Sequence, residues 1–309
     1  MKRRDFMLSG LGGLGGIAAA ATIAHTAGAN TPSRAPAAPR LAISWLGGAT
    51  MLIKFDDFTI LTDPTFGEGK EAYFMPDPNA MFDLKTGPTP RFHARNTPFP
   101  GVDVSSIDLM MLSHLHEDHF DQKAEATIPK TLSTILPPAD ADKLGTKGFT
   151  NQIPLDWGVS KTIATDNGKI SIRAIPAHHS ANPQVSAMLG KGNGYWLRFE
   201  SGNWKKDVYW TGDTFATEEV LASIRRIGQP DILIPHMGAV GATGPLGLIS
   251  MGAKEVLELA GLLGNPNVLP IHHSTFPLYL EPASHLIAQA DVAHDRIDLI
   301  AEGSTIEYI

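Results

Sequence analysis

The chain has no cysteine among its 309 residues. That excludes disulfides, thiolate nucleophiles and any metal site built on sulfur, so a metal site here has to be assembled from His, Asp and Glu. Charge is also sparse, with 18% Asp, Glu, Lys and Arg, and the balance is acidic at a formal −7. A surface of that sign does not suit nucleic acid, whose phosphates reward clustered Lys and Arg; it leaves open a small phosphorylated substrate held by a metal. Internal repeats and low-complexity domains are absent. What is there is 43% hydrophobic residues, enough for a large core, in a length that α/β sandwiches and barrels reach as one unit.

Long apolar runs are scarce too, and the one present lies at the start. Lys2-Arg3-Arg4 precedes Asp5-Phe6-Met7, then a soft apolar stretch from Met7 to Ala24 diluted by Gly10, Gly12, Gly13, Gly15 and Gly16, then Ala27-Gly28-Ala29. These read as the n-, h- and c-regions of a signal peptide over residues 1–29. The Arg-Arg-x-Phe core and the glycines resemble a twin-arginine export signal, which is an address rather than an anchor. The expectation is a periplasmic or otherwise exported protein cleaved near Ala29, with the twin-arginine export machinery as a partner; the competing reading is an uncleaved membrane anchor. Residues 30–40 form a Pro/Ala linker, and the folded domain is expected over 41–309.

From Leu41 the texture changes. "AISWLG", "TMLIKF" and "FTILTD" are β-type runs separated by Gly47-Gly48 and Asp56-Asp57, which predicts a meander. Residues 66–101 hold six prolines with little periodicity, too long for an ordinary connection and so expected to be a functional loop over a site. Beyond it, strand-like runs alternate with helical ones. "TLSTILP" precedes a helix at 138–146; "KTIAT" and "KISIRAIPA" form a hairpin around Asp166-Asn167-Gly168. "GYWLRFE" and "DVYWTGD" are strands, followed by a helix near 217–227, the strand "DILIPH", a helix over 251–264, the strand "NVLPIHH", a helix over 282–291 and a closing strand or pair. Consecutive strands followed by alternation predict an α/β protein with αββα layering, sheets packed together and helices outside.

The chemistry concentrates in "SHLHEDHFD", Ser113 to Asp121, directly after the apolar run Ile107 to Leu112. His114, His116, Asp118 and His119 put four ligand-type side chains in six positions. On a strand end His114 and His116 point the same way, and a turn brings Asp118 and His119 round from another direction. One segment can thus offer two ligands to each of two metals.

At this point the sequence resembles the metallo-β-lactamase-fold hydrolases, closest to the branch of N-acylphosphatidylethanolamine phospholipase D and the ascorbate-phosphate lactonase-like proteins. "ISWLGGATMLIKFDDFTILTDPTFG" is similar to that branch's opening hairpin, with Asp63 in the acidic position after the strand. "IDLMMLSHLHEDHFD" carries the main motif, and "IPAHHS", "YWTGDT" and "PIHHSTF" resemble the later ligand segments. The resemblance implies a four-layer αββα sandwich with His114, His116, His179 and Asp213 around one metal. It implies Asp118, His119, Asp213 and His272 around the other, Asp213 bridging. His178 competes with His179, and His273 with His272; His273 stands where the family usually has an aromatic residue. The ions implied are two divalent metals, zinc first, with manganese or iron as alternatives. One departure stands out: the branch usually writes Gly-His-Ala/Ser where this chain has Gly47-Gly48-Ala49.

The chemistry implied is hydrolysis by a hydroxide bridging the two ions. Asp118, His178 and His236 are the candidate catalytic groups, with His178, His236 and His273 as substitutes for the polar group missing at Gly48. Asp63, Glu117 or Asp121 is expected to orient the second nitrogen of a ligating histidine. A phosphodiester or phospholipid-type substrate comes first and a lactone second. A different class is a catalytically inactive metal-binding protein. β-Lactam hydrolysis is disfavoured because one lactamase class uses Cys and another lacks the bridging carboxylate; a redox di-iron role is disfavoured because His116 is retained.

Overall fold

The computed structural model describes residues 41–290 and 296–309. The expected signal segment, 1–29, and the linker, 30–40, lie outside the described residues. The chain opens with β1 (Leu41–Gly47), β2 (Thr50–Phe55) and β3 (Phe58–Thr62), an antiparallel meander. Asp56, at φ 53°, turns the second hairpin so that Phe55 pairs with Phe58.

The segment 66–101 is not wholly irregular. It contains a two-stranded ribbon of β4 (Tyr73–Pro76) and β5 (Pro90–His93), with Pro76 and Pro90 at its end, where missing N–H groups do least harm. Next come β6 (Leu109–Met111), α1 (Gln122–Thr127), β7 (Thr134–Leu136), α2 (Ala141–Thr146) after a 3-10 turn at Pro138–Asp140, and β8 (Gln152–Pro154). The second half holds β9 (Ser160–Ala164), β10 (Lys169–Ala177), α3 (Pro183–Leu189), β11 (Gly192–Ser201), β12 (Trp204–Trp210) and α4 (Glu218–Arg225). It closes with β13 (Ile232–Ile234), α5 (Ala253–Leu262), β14 (Asn267–Val268), α6 (Ala283–Gln289) and β15 (Thr305–Tyr308).

The strands form two main sheets, ordered β15-β1-β2-β3-β6-β7-β8 and β14-β13-β12-β11-β10-β9. Period-two alternation sorts their side chains into layers. Ile60, Leu109 and Met111 of the first sheet meet Ile172, Leu197, Val208 and Trp210 of the second in one buried core. The alternate residues Leu61, Met110 and Leu112 face α1 and α2 through Ala124 and Leu144. Trp196, Tyr209 and Leu233 face the helices on the other side, with Val220, Val256 and Leu286. This is the αββα sandwich expected from the order of elements.

Chain direction then places the site. β3 and β6 run parallel, as do β12, β13 and β14, while β10 is antiparallel to β11 and β11 to β12. The carboxyl ends of β3, β6, β10, β12, β13 and β14 therefore carry Asp63, His114, His179, Asp213, His236 and His272. That edge is where open α/β sheets present ligand sites.

The segment 66–101 is pinned over the same edge. Arg95, its side chain fully buried, donates to the carbonyls of Leu46, Thr65 and Thr97 and pairs with Glu302 at 2.8 Å. Asn79 accepts from Gly241 N–H at 2.6 Å and donates to Leu278 O at 2.8 Å. Gly244 approaches so closely that a Cβ there would lie 1.8 Å from Pro78 O.

Arg95→Met leaves Glu302 and three carbonyls without their cation. The expected loss is about 3–5 kcal/mol, read as a lower urea midpoint; an unchanged midpoint would show that this segment is not held from below by Arg95.

Candidate metal centre

The site is built outward from Asp63. Fully buried and held at φ 31°, it accepts from Ser113 N–H at 2.7 Å, from Ser113 Oγ at 2.5 Å and from His119 Nδ1 at 2.8 Å. Because the Ser113 hydroxyl spends its proton on Asp63, its oxygen accepts from His114 Nδ1, 2.9 Å away. One carboxylate thereby places protons on the Nδ1 atoms of His114 and His119 and turns both Nε2 atoms toward the clusters.

Two clusters result. In the first, His114 Nε2 lies 2.9 Å from His116 Nδ1 and 3.1 Å from His179 Nε2. Burial drives all three imidazoles toward neutrality, His179 to about 3, with neighbouring histidines adding to the effect. In the second, His119 Nε2 sits 3.5 Å from Asp213 Oδ2 and 3.8 Å from Asp118 Oδ2. His272 Nε2 lies 3.4 Å from Asp118 Oδ2 and 3.8 Å from Asp213 Oδ1, while its Nδ1 donates to Met237 O at 2.7 Å. The rings of His114 and His119 are 4.0 Å apart, so the clusters adjoin.

Burial opposes ionisation of Asp118, but His119 and His272 outweigh it and hold the carboxyl at about 2. Asp213 is likewise held well below its usual range by His272 and His119 against burial. His119 moves the opposite way, well above its ordinary value, because Asp213 and Asp118 overcome burial.

The residues fit divalent metals. The Nε2 atoms of His119 and His272 are buried without a hydrogen-bond partner, a costly arrangement for polar atoms unless they serve as ligands. Three neutral nitrogens converge beside them, and the donor set is nitrogen and oxygen only.

His236 belongs to the second cluster by distance, yet both its nitrogens are engaged. The indole Nε1 of Trp210 can only donate, and it does so to His236 Nε2 at 2.6 Å. His236 therefore carries its proton on Nδ1 and gives it to Asp213 Oδ1 at 3.0 Å. Its place is behind Asp213, orienting that carboxylate, and not among the ligands. Sequence reasoning missed Trp210 and Ser113 altogether.

Other candidates go elsewhere. His178 is not brought to the clusters: its Nε2 meets Glu219 at 2.9 Å, its ring lies against Trp157, and with Pro183 and Ser186 it lines a separate depression. His273 packs on Trp45 at 4.6 Å, as an aromatic residue would. Asp121 caps α1 through Ala124 N–H and accepts from Gly67 N–H, both at 2.7 Å, so of the three acids expected to orient a histidine, Asp63 is the one that does. Glu117 lines the pocket above the clusters.

Residues 59–273 match the beta-lactamase superfamily domain. The chain belongs to that family. It is 25% identical over 269 residues to N-acyl-phosphatidylethanolamine-hydrolyzing phospholipase D 1 of Caenorhabditis elegans, covering 82% of this chain and 71% of that protein. A UPF0173 metal-dependent hydrolase of Agrobacterium fabrum is 27% identical over 276 residues, covering 86% of this chain and 99% of the relative. Among solved structures, isothiocyanate hydrolase from Delia radicum gut bacteria superposes with a TM-score of 0.69 at 23% identity, covering 86% of this chain and 98% of that one. That last likeness concerns the fold. The chain is a metal-dependent hydrolase of the beta-lactamase superfamily.

The two clusters should load metal with different pH dependence. Asp213 and Asp118 favour the protonated form of His119, and a proton on Nε2 has to leave before that atom can serve as a ligand, so uptake there is expected to release protons and to weaken as pH falls. Burial favours the neutral form of the first cluster's three imidazoles, so its affinity is expected to depend less on pH. Zinc titrations by calorimetry in buffers of different ionisation heat check this; equal pH slopes for both events would contradict it.

Proposed function

We propose that the protein is an exported binuclear hydrolase acting on a phosphodiester or phospholipid-type substrate with an apolar substituent. The observation that carries this reading is a cavity of about 280 Å³ with His116, Asp118, His179 and Asp213 among its lining residues. Its other walls are largely apolar, including Met75 and Phe82 from the 66–101 segment, Leu189 from α3, and Val240, Leu246 and Ile249. Such a pocket suits a hydrolysable head on the ligand clusters and an apolar group against the walls. The similarity to a phospholipase D acting on N-acyl-phosphatidylethanolamine points the same way.

In this reading His114, His116, His179 and Asp213 hold one ion, and Asp118, His119, His272 and Asp213 the other. Zinc is the first candidate and manganese or iron the alternatives. When bound, such ions lower the pKa of water and polarise a substrate oxygen. The protein's own part is to fix geometry and protons. Asp63 keeps protons at Nδ1 of His119 and, through Ser113, of His114. His236 holds its proton against Asp213 Oδ1, and the apolar walls exclude bulk water. Asp118 doubles as a ligand and as a carboxylate lining the cavity.

Lactone hydrolysis is the second reading, favoured by one feature: no Lys or Arg lines the cavity, so an uncharged ester needs no further counter-charge. Export rests on the sequence of residues 1–29 and their likeness to a twin-arginine signal. Among the described residues no helix is long and apolar enough to cross a membrane.

The test is hydrolysis of a bis-aryl phosphodiester beside a panel of lactones. The expected result is phosphodiester turnover abolished by chelator, restored by zinc or manganese, and reduced on the order of 100-fold or more in His116→Ala. Turnover of lactones alone would replace the first reading by the second. No turnover by metal-loaded protein would leave a metal-binding protein on a hydrolase fold.

A further inference from the structure

His272 sits in the second cluster on backbone that has little stiffness of its own. It is left-handed at φ 62°, and its N–H is tied to Gly48 O at 2.8 Å. Gly48 follows Gly47, both at positive φ, and two consecutive glycines leave a backbone more freedom than any other pair. A contact from outside this turn has to fix the carbonyl that receives His272.

The hydrogen bonds that do so end on Glu302. Trp45 Nε1 donates to Gly48 O at 2.9 Å, and Gly48 N–H donates to Thr275 Oγ1 at 2.7 Å. The Thr275 hydroxyl has one proton to give and two acceptors in reach, Glu302 Oε1 at 2.7 Å and His273 O at 3.2 Å. The carboxylate is nearer and charged, so it takes the proton, and the hydroxyl oxygen accepts from Gly48. The other oxygen of Glu302 is fixed as well, by Thr97 Oγ1 at 2.7 Å and Arg95 Nη2 at 2.8 Å. Its side chain is 11% exposed. Gly47 gives it room: a Cβ there would lie 2.6 Å from Glu302 Oε2 and closer still to Arg95 Nη2. The Gly47-Gly48 turn thus admits the carboxylate at its first residue and is held through Thr275 at its second. Asn96 secures the same segment, donating from its N–H to Thr275 O and from Nδ2 to Ser274 O, each at 2.8 Å.

We infer that Glu302 is a positioning residue for the second cluster. Through the Thr275 hydroxyl and Gly48 it fixes the backbone of His272, and with it the aim of His272 Nε2 toward Asp118 and Asp213. His114 of the first cluster is set from Asp63 through Ser113 instead, so loss of the Glu302 path falls on the second cluster. This rests on the two-ion reading above.

The probe is zinc, titrated by calorimetry, with Tm measured on the same samples. His272→Ala and His116→Ala, each short of a ligand in one cluster, identify which binding event belongs to which. Thr275→Val keeps the shape of the side chain and removes the hydroxyl. It should weaken the second-cluster event about 10-fold and leave the first unchanged. Thr275→Ser keeps the hydroxyl and should bind zinc as the parent does. Glu302→Ala should weaken the same event, and the double variant with Thr275→Val should lose no more than the larger single loss, because both changes cut one path. An unchanged second event in Thr275→Val, weakening of both events alike in step with Tm, or additive losses in the double variant would overturn the inference. If Glu302→Ala does not fold, Thr275→Val against Thr275→Ser decides by itself. A parent with fewer than two zinc events overturns the two-ion reading, and this inference with it.

Discussion

The buried Asp63 carboxylate is the interaction on which the site depends. It stands at the end of β3, one strand from the His114 segment, and its two oxygens collect three donors. An aspartate tolerates the left-handed backbone it adopts better than a β-branched residue would, and its short side chain is what reaches Ser113. Through Ser113 and His119 it sets one tautomer in each cluster, so the pairing of β3 with β6 is translated into which nitrogen of each ring is free. Its cost as a buried charge is met by hydrogen bonds from the groups it orders.

The second sheet supplies a matching device. Trp210 ends β12 and His236 follows β13, which run parallel with Trp210 opposite Ile234. The indole fixes the proton of His236, and that proton fixes one oxygen of Asp213. The Asp213 carboxylate is thus held from the second sheet as His114 and His119 are held from the first. His272 completes the arrangement at φ 62°, its backbone N–H tied to Gly48 O. Backbone strain at Asp63 and His272 falls on site residues, where surrounding structure can sustain it.

The features legible in the sequence were those carried by local pattern. Period-two runs gave the meander and the strands that form both sheets, and the dense His/Asp segment after an apolar run marked where the clusters of potential metal ligands lie. Features that depend on residues far apart were not legible. Ser113 is an ordinary serine until Asp63 is placed beside it, and His236 differs from a satisfied core histidine only through Trp210. The helix α3 is two turns long and gave little periodicity, although Asn182 before Pro183 is a cap followed by a preferred first-turn residue. The run "NVLPIHH" yields only the two-residue strand β14, since Pro270 and the left-handed His272 turn it toward the site. In the 66–101 segment the prolines masked a short ribbon whose Phe74 and Phe92 pair across strands at 5.0 Å.

The most direct test of the account is the metal content of Asp63→Asn beside the parent, by elemental analysis after reconstitution with zinc. Asparagine keeps the size of the side chain but turns one acceptor toward Ser113 and His119 into a donor. The account predicts about two equivalents in the parent and a clear fall in the variant, because the proton positions of His114 and His119 are no longer set. Two equivalents retained in the variant with parent affinity would contradict it, and would mean that the clusters do not depend on the Asp63 carboxylate.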